Sequence, residues 1–279
     1  MPEQDYREAS LRIWEDMAAG WEGHRRRVWD ASHAVGEWLV DALDPQPGET
    51  LLELAAGVGD TGFAAARRVG STGRLITTDF SEQMVQAARR RAEELGVSNA
   101  EFRTLDAERM DLDDGSVDGV LCRWGYMLMA DPGAALAETR RVLGDDGRLA
   151  LSVWGEPERN PWASIPARAL LELTGAEPPD PHAPGVFAMA SEERTRDLLI
   201  GAGLEPKRVE KVEMAWSFES LADYWQHLTD VKGAIAMVVR ALPDADQAAL
   251  STEIERRLAP YAEGEGYRLP GSCLNVLAV

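Results

Sequence analysis

This chain is short of every device that holds a protein together outside a packed core. It has two cysteines in 279 residues, Cys122 and Cys273, far apart and each in an apolar strand-like run. That excludes a disulfide framework and a thiolate zinc site, and marks both as buried thiols. No stretch approaches the roughly 18 consecutive apolar residues a membrane-spanning helix needs. Met1 to Arg7 is polar and acidic, unlike a secretory leader, so a soluble cytoplasmic protein is expected. Positive charge is scarce, with 29 Lys and Arg against 48 Asp and Glu for a net charge of −19. A nucleic-acid backbone or an anionic membrane is therefore excluded as the main partner, since both demand a basic surface. The triplets Arg25-Arg26-Arg27 and Arg89-Arg90-Arg91 read as solvated helix faces. The acids of Asp111 to Asp114 and Asp145-Asp146 lack the spacing of a calcium loop, and no metal site is expected.

What is present is ample core material, 45% of the residues being apolar, in a pattern that changes period along the chain. Residues 1–47 read as helical, with Leu11, Trp14, Met17, Ala18 and Trp21 on one face and a second helix from about Ala31 to Leu43. Trp14, Trp21 and Trp29 there are either core packing or an aromatic lid. Residues 48–154 then alternate strand and helix. The strands are Thr50 to Leu54, Leu75 to Thr78, Ala100 to Thr104, Gly119 to Arg123 and Arg148 to Trp154. The helix Ser81 to Leu95 is capped by Ser81 and Gly96, and the helix Pro132 to Leu143 by Asp131 and Gly144. Such alternation makes an α/β doubly wound parallel sheet. A proline-rich insertion follows (155–190), then a core helix and strand (191–217, the strand at Lys207 to Trp216). A second, helical insertion (218–271) precedes a last apolar strand (272–279), which makes seven strands in all.

Leu51-Leu-Glu-Leu-Ala-Ala-Gly-Val-Gly-Asp-Thr-Gly62 carries the most information. An apolar strand enters a glycine-rich turn and then a helix, so Gly57 and Gly59 let backbone approach a ligand while helix amides face the same space. Gly57, Gly59 and Gly62 satisfy G-x-G-x-x-G, with Asp79 about where a dinucleotide enzyme places its ribose acid, which keeps an NAD-dependent oxidoreductase in view. Glu53 and Asp60 pull away from that reading, because two carboxylates would border a pyrophosphate. A ligand without phosphate but with an ammonium and a sulfonium, such as S-adenosylmethionine, reverses the sign of the interaction. Glu53, Asp79 and Asp106 recur at intervals of 26 and 27 residues, about one strand-helix unit each, which sets them along one sheet edge. Asp79 could accept both ribose hydroxyls and Asp106 the adenine amino group. A single acid of this kind would more simply cap a helix or turn, whereas three in register favour the ligand.

Taken in order, these motifs resemble class I S-adenosylmethionine-dependent methyltransferases, in the branch similar to the ubiquinone/menaquinone biosynthesis methyltransferases. The resemblance runs from about Gly48 to Trp154. It rests on Leu51 to Gly62, on Thr78-Asp79-Phe80-Ser81 with Met84, and on Leu105-Asp106-Ala107-Glu108. Leu121-Cys-Arg-Trp-Gly-Tyr126 and Glu138 to Gly147 complete it. It implies a Rossmann-like, mostly parallel sheet with an antiparallel C-terminal strand and helical cap insertions, with S-adenosylmethionine as cofactor and S-adenosylhomocysteine as product. It also implies that Glu53, Ala55, Gly57 and Gly59 hold the amino-acid part of the cofactor and Asp79 the ribose. Phe80 and Met84 would pack the adenine, the Asp106-Ala107-Glu108 motif would bind it, and Arg123 and Trp124 would wall the fourth strand. Ala55 stands where many members have glycine, and Glu53 where aspartate is commoner.

Methyl transfer needs alignment and exclusion of water, and for a hydroxyl acceptor a general base helps. Of four histidines, His227 beside Tyr224 and Trp225 ranks first and His24 beside Trp21 second, ahead of His33 and His182, although a histidine without chemistry is the commoner case. Tyr126, just past the fourth strand, is a further acceptor contact. Trp162, Phe187, Tyr224, Trp225, Met237 and Tyr261 in the caps point to an apolar or aromatic small-molecule acceptor, with O-methylation ahead of C- or N-methylation. A cofactor-binding relative without catalysis is the non-enzyme alternative. Oligomeric state is undecided between monomer and homodimer.

Overall fold

In a computed structural model, which describes residues 3–279, two helices open the chain, α1 (Glu3–Gly23) and α2 (Arg25–Leu43). Strands and helices then alternate as β1 (Thr50–Leu54), α3 (Asp60–Val69), β2 (Arg74–Asp79), α4 (Glu82–Leu95) and β3 (Ala100–Thr104). Next come β4 (Val117–Arg123), α5 (Pro132–Val142), β5 (Leu143–Trp154), α6 (Pro161–Thr174), α7 (Glu192–Gly201) and β6 (Pro206–Phe218). The chain continues through α8 (Leu221–Val231), α9 (Ala234–Ala241), α10 (Asp244–Leu258), a two-residue β7 (Ala262–Glu263) and β8 (Gly266–Ala278).

The sheet order is β3-β2-β1-β4-β5-β8-β6, with β7 paired to β8 beside this path. β1 to β5 are mutually parallel, and β8 runs antiparallel between β5 and β6. All seven expected strands are therefore present in a doubly wound, mostly parallel sheet. The last is longer than its apolar run, because Gly266 to Gly271, expected in the second insertion, is carried into the sheet by pairing from Phe218↔Tyr267 to Pro206↔Ala278. The capping residues act as their types demand. Ser81 Oγ accepts from Met84 N at 3.2 Å, Asp131 Oδ1 accepts from Ala134 N at 3.0 Å, and Gly96 closes α4 at φ +65°. Gly144 does not stop α5, since the chain passes from Val142 straight into β5 at Leu143.

Chain order reverses at β1, which leads to β2 and β3 on one side while the chain returns to β4 on the other. The carboxyl ends of β1 and β4 therefore flank the crevice where such sheets bind ligands. α1 lies across it. Tyr6 Oη donates to Leu128 O at 2.7 Å, Arg7 pairs with Asp106 and Glu108, and Asp16 accepts from Arg240 at 2.6 Å. Gly20 passes so close to α8 that a Cβ would stand 2.0 Å from Asp230 O, so any larger residue would push the helix away. The basic triplets do more than coat helices. Arg27 grips Asp223 at 2.6 and 2.7 Å, Arg90 holds Glu22 at 2.8 and 2.9 Å and Arg91 holds Asp60 at 3.1 Å, which ties α2 to α8 and α4 to both α1 and α3. Among the described residues no helix is long and apolar enough to cross a membrane.

Candidate active site

The crevice holds a cavity of about 670 Å³ bounded by the strand ends, α1 and the caps. At the end of β1 the Glu53 side chain turns inward, where Oε1 accepts from Gly62 N at 2.7 Å while Oε2 is buried without a partner. A Cβ at Gly62 would lie 2.1 Å from Oε2, so glycine there is what admits the carboxylate. Burial drives the Glu53 pKa up to about 8, against the Gly62 hydrogen bond and the charge of Arg123 and with the charges of Asp60 and Asp79. Ala55 and Gly57 follow in the left-handed region, at φ +50° and +54°. A Cβ on Gly57 would meet nothing within 4 Å, so the loop presents bare backbone to the cavity. Gly59 does not line the cavity. It adopts φ +85° as the N-cap of α3, and a Cβ there would meet Phe63 Cζ at 2.5 Å, so its smallness serves packing. Asp60 is turned to Arg91, which leaves Glu53 as the loop's one carboxylate on the cavity wall.

Asp79 closes β2. Its Oδ2 accepts from Gly57 N at 2.9 Å and its Oδ1 from Ser81 N at 3.0 Å, so it ties the glycine loop to the start of α4 while facing the cavity. Burial raises its pKa to about 6 despite these amide donors and that of Phe80. Phe80 and Met84 line the wall beside it, as do Asp106, Ala107 and Glu108 in the loop after β3. The acids of this loop are engaged. Asp106 pairs with Arg7 and accepts from Glu108 N at 2.9 Å, and Glu108 accepts from Ala130 N and Asp131 N at 3.0 Å each. Arg7 therefore stands at the place where the resemblance puts adenine recognition. Nothing local announces this contact, because the partners are 99 and 101 residues apart.

β4 ends at Arg123 and Trp124 follows it, both on the cavity wall. Arg123 Nη1 donates to Ser32 Oγ at 2.6 Å and its guanidinium lies 4.6 Å from the Trp124 ring centre. Trp124 has φ +65°, a rare conformation for a bulky residue and one that is held by its surroundings. Its amide donates to Ser152 O at 2.8 Å, its Nε1 to Cys273 Sγ at 3.3 Å, and its ring stacks on Trp154 at 4.2 Å. Cys122 and Cys273 are free buried thiols whose pKa burial pushes up to about 12. Tyr126 departs from expectation. It is fully buried, shares a 2.7 Å hydrogen bond with Thr139 on α5, and does not reach the cavity, because the turn after β4 carries it into the core.

Beyond the strand ends the wall is indole. Trp154 packs on Trp162 at 4.4 Å and Trp162 on Trp216 at 5.5 Å, while Trp14 and Trp21 of α1 also border the space and Trp29 faces outward. His227 lies on this wall, fully buried, 5.3 Å from Trp216, with neither ring nitrogen partnered. Burial holds its pKa well below the usual value, helped by the charges of Lys232, His24 and Arg27, so the ring is neutral. His24 does not reach the cavity. Its Nε2 meets Asp230 at 2.9 Å and its ring stands edge-on behind His227 at 5.1 Å, so it buttresses the first-ranked histidine. Lys232, which composition and motif gave no reason to single out, faces the same wall, with Nζ 3.8 Å from the Trp162 ring centre.

The residues fit the cofactor that the resemblance implies. The unpartnered Glu53 Oε2 is an acceptor in want of a cation, the Gly57 backbone is open to a ligand, and Asp79 keeps a cavity-facing carboxylate. A pyrophosphate would offer Glu53 no positive charge and keep its carboxyl protonated, whereas an ammonium favours the ionised form. The comparisons with known proteins point the same way. Residues 45–167 match the family model of a methyltransferase domain. Among curated proteins, the chain is 35% identical over 135 residues to nocamycin O-methyltransferase of Saccharothrix syringae (48% of each chain). It is also 35% identical over 127 residues to the ubiquinone/menaquinone biosynthesis C-methyltransferase of Paraburkholderia phymatum (46% of this chain, 49% of that one). The chain spans about half the length of these relatives. Its fold is similar to the crystal structure of an S-adenosylmethionine-dependent methyltransferase from Aquifex aeolicus, with TM-score 0.51 and 24% identity over 63% of this chain and 83% of that one. None of these comparisons supports an oxidoreductase.

Proposed function

We propose, from the premise that residues 45–167 are a class I S-adenosylmethionine-dependent methyltransferase domain, that the chain methylates a small aromatic metabolite held against the tryptophan wall. Transfer to oxygen is the favoured reaction. The observation that carries this reading is one continuous cavity joining the Glu53–Asp79 strand ends to Trp162, Trp216 and His227.

S-adenosylmethionine, when bound, supplies a methyl carbon already activated by its sulfonium. What the chain must contribute is placement and dryness. Glu53 Oε2 and the loop backbone at Ala55 and Gly57 would take the amino group, Arg123 the carboxylate, and Asp79 the ribose hydroxyls. Phe80, Met84 and Ala107 would flank the base, with Asp106 and Glu108 held in place by Arg7. The indole wall stacks a flat acceptor and excludes water. His227, neutral and with both nitrogens free of protein partners, would accept the hydroxyl proton of an acceptor as the new bond forms. One relative's name records O-methylation and the other's C-methylation. The unpartnered His227 serves oxygen most directly, by taking a hydroxyl proton as the bond forms; a carbon acceptor must also shed a proton and is the second reading.

The test is formation of S-adenosylhomocysteine when the protein and cofactor meet a set of hydroxylated aromatic compounds. Turnover that falls by about 10²- to 10⁴-fold in His227→Gln, the usual reach of general-base catalysis, supports the reading. Saturable cofactor binding with no turnover across the set would leave a cofactor-binding relative instead.

A further inference from the structure

Lys232 stands immediately after α8 and is followed by Gly233 at φ +54°, a turn that aims its side chain back into the cavity. Its Nζ lies 3.8 Å from the centre of the Trp162 ring and 4.5 Å from that of Trp216. Among the described residues it has no ion pair, although acids outnumber bases 48 to 29 in this chain. Other partly buried cations have theirs, with Arg27 on Asp223 and Arg148 on Glu49. The charged or titratable neighbours that Lys232 does have are Arg27 and the neutral His227; neither supplies negative charge, and burial with the charge of Arg27 holds the Lys232 pKa well below the usual lysine value. The two indole faces offset only part of the cost of removing an ammonium from water. Norleucine-like packing alone would be met better by methionine or leucine at this position. A lysine amine kept on an apolar, aromatic wall without a protein counter-charge, beside an unpartnered histidine, is the arrangement that holds its proton when a ligand delivers an anion.

We propose that Lys232 anchors an acidic oxygen of the acceptor, so that the substrate class is an aromatic compound carrying an ionised carboxylate or an ionised phenol or enol. This rests on the methyltransferase reading of the same site and narrows its acceptor. The flat body stacks on Trp162 and Trp216, the ionised oxygen meets Nζ, and His227 is left to a second polar group. A neutral hydrocarbon acceptor offers the Lys232 amine neither a counter-charge nor a hydrogen bond and is selected against.

The test uses the full chain saturated with S-adenosylhomocysteine and calorimetric titration at pH 7 with three probes on one naphthalene frame: 2-naphthoate, a nitro-substituted 2-naphthol that is ionised at that pH, and 2-naphthamide. The expected result is that at least one ionised probe binds tenfold or more tightly than the amide. Preference for naphthoate alone assigns a carboxylate, and preference for naphtholate alone a phenol or enol. Lys232→Met, which keeps the stem against Trp162, should erase the preference, and Lys232→Arg should restore it. All three proteins should bind S-adenosylhomocysteine equally, which also reports that the variants fold. Equal affinity for amide and acids, a preference that survives in Lys232→Met, or binding of none of the probes overturns the proposal. Failure of the unaltered protein to bind S-adenosylhomocysteine is seen before any probe is added. It would overturn the methyltransferase reading, and this proposal with it, whereas normal binding without an acid preference overturns this proposal alone.

Discussion

Glu53→Gln should make the free protein more stable at pH 8 and at the same time weaken its hold on cofactor. The carboxyl is 3% exposed, one oxygen accepts from Gly62 N at 2.7 Å, and the other has no partner. Burial raises its pKa from 4.5 to about 8. The folded protein therefore keeps a proton that the unfolded chain releases, so stability falls as pH rises from about 4.5 through about 8. No penalty exists below the lower value. At about 1.4 kcal/mol per pH unit the ceiling is roughly 5 kcal/mol, and water entering the open cavity reduces it to about 2 to 4 kcal/mol. Glutamine keeps an acceptor for the Gly62 amide and carries no charge. The melting temperature of the free variant should exceed that of the parent by roughly 4 to 8 °C at pH 8 and by no more than about 2 °C at pH 5. Affinity for S-adenosylhomocysteine should fall by about 1.5 to 3 kcal/mol, the usual worth of a hydrogen bond to a charged group. Differential scanning fluorimetry at the two pH values and calorimetry at pH 8 read both effects. A variant that melts lower by the same amount at both pH values would make Glu53 a plain structural acceptor. Unchanged affinity would show that the cofactor's amino group is held elsewhere.

Three further outcomes are expected. Asp79→Ala should lower cofactor affinity by about 1.5 to 3 kcal/mol and also lower the melting temperature, since Gly57 N and Ser81 N lose their acceptor; a loss of stability with affinity intact would remove Asp79 from the binding site. Tyr126→Phe should leave turnover unchanged and cost about 1 kcal/mol of stability through Thr139, measured by urea unfolding; a large fall in turnover would restore it as an acceptor contact. Ala55→Gly relieves a left-handed alanine worth about 1 to 2 kcal/mol, less the extra entropy of glycine. The variant should melt no lower than the parent, and a clear drop would mean the Ala55 methyl is needed for packing.

Much of the scaffold was legible because it is local. Helix starts and stops at Ser81, Gly96, Asp131 and Pro132 follow from side chains a few residues from the backbone groups they satisfy, and the β1 turn announces itself through glycine. The acids at 53, 79 and 106 were found by their spacing, which a strand-helix repeat imposes. What the spacing could not carry is pairing between distant segments. Arg7 occupying Asp106 and Glu108, Arg91 drawing Asp60 out of the loop, and His24 backing His227 through Asp230 all join residues whose meeting depends on tertiary packing. Tyr126 was misplaced for the same reason, since one turn of backbone after β4 decides whether its ring points to the cavity or to Thr139. Lys232 is not legible because a single lysine in an acid-rich chain reads as surface until its place on the cavity wall is seen.

Calorimetric titration of the purified protein with S-adenosylhomocysteine and, separately, with NADH tests the central claim most directly. The account requires one-to-one micromolar binding of S-adenosylhomocysteine and no heat with NADH. Binding of NADH alone would contradict it, returning the glycine loop to a dinucleotide role and leaving Glu53 Oε2 without the cation that explains it.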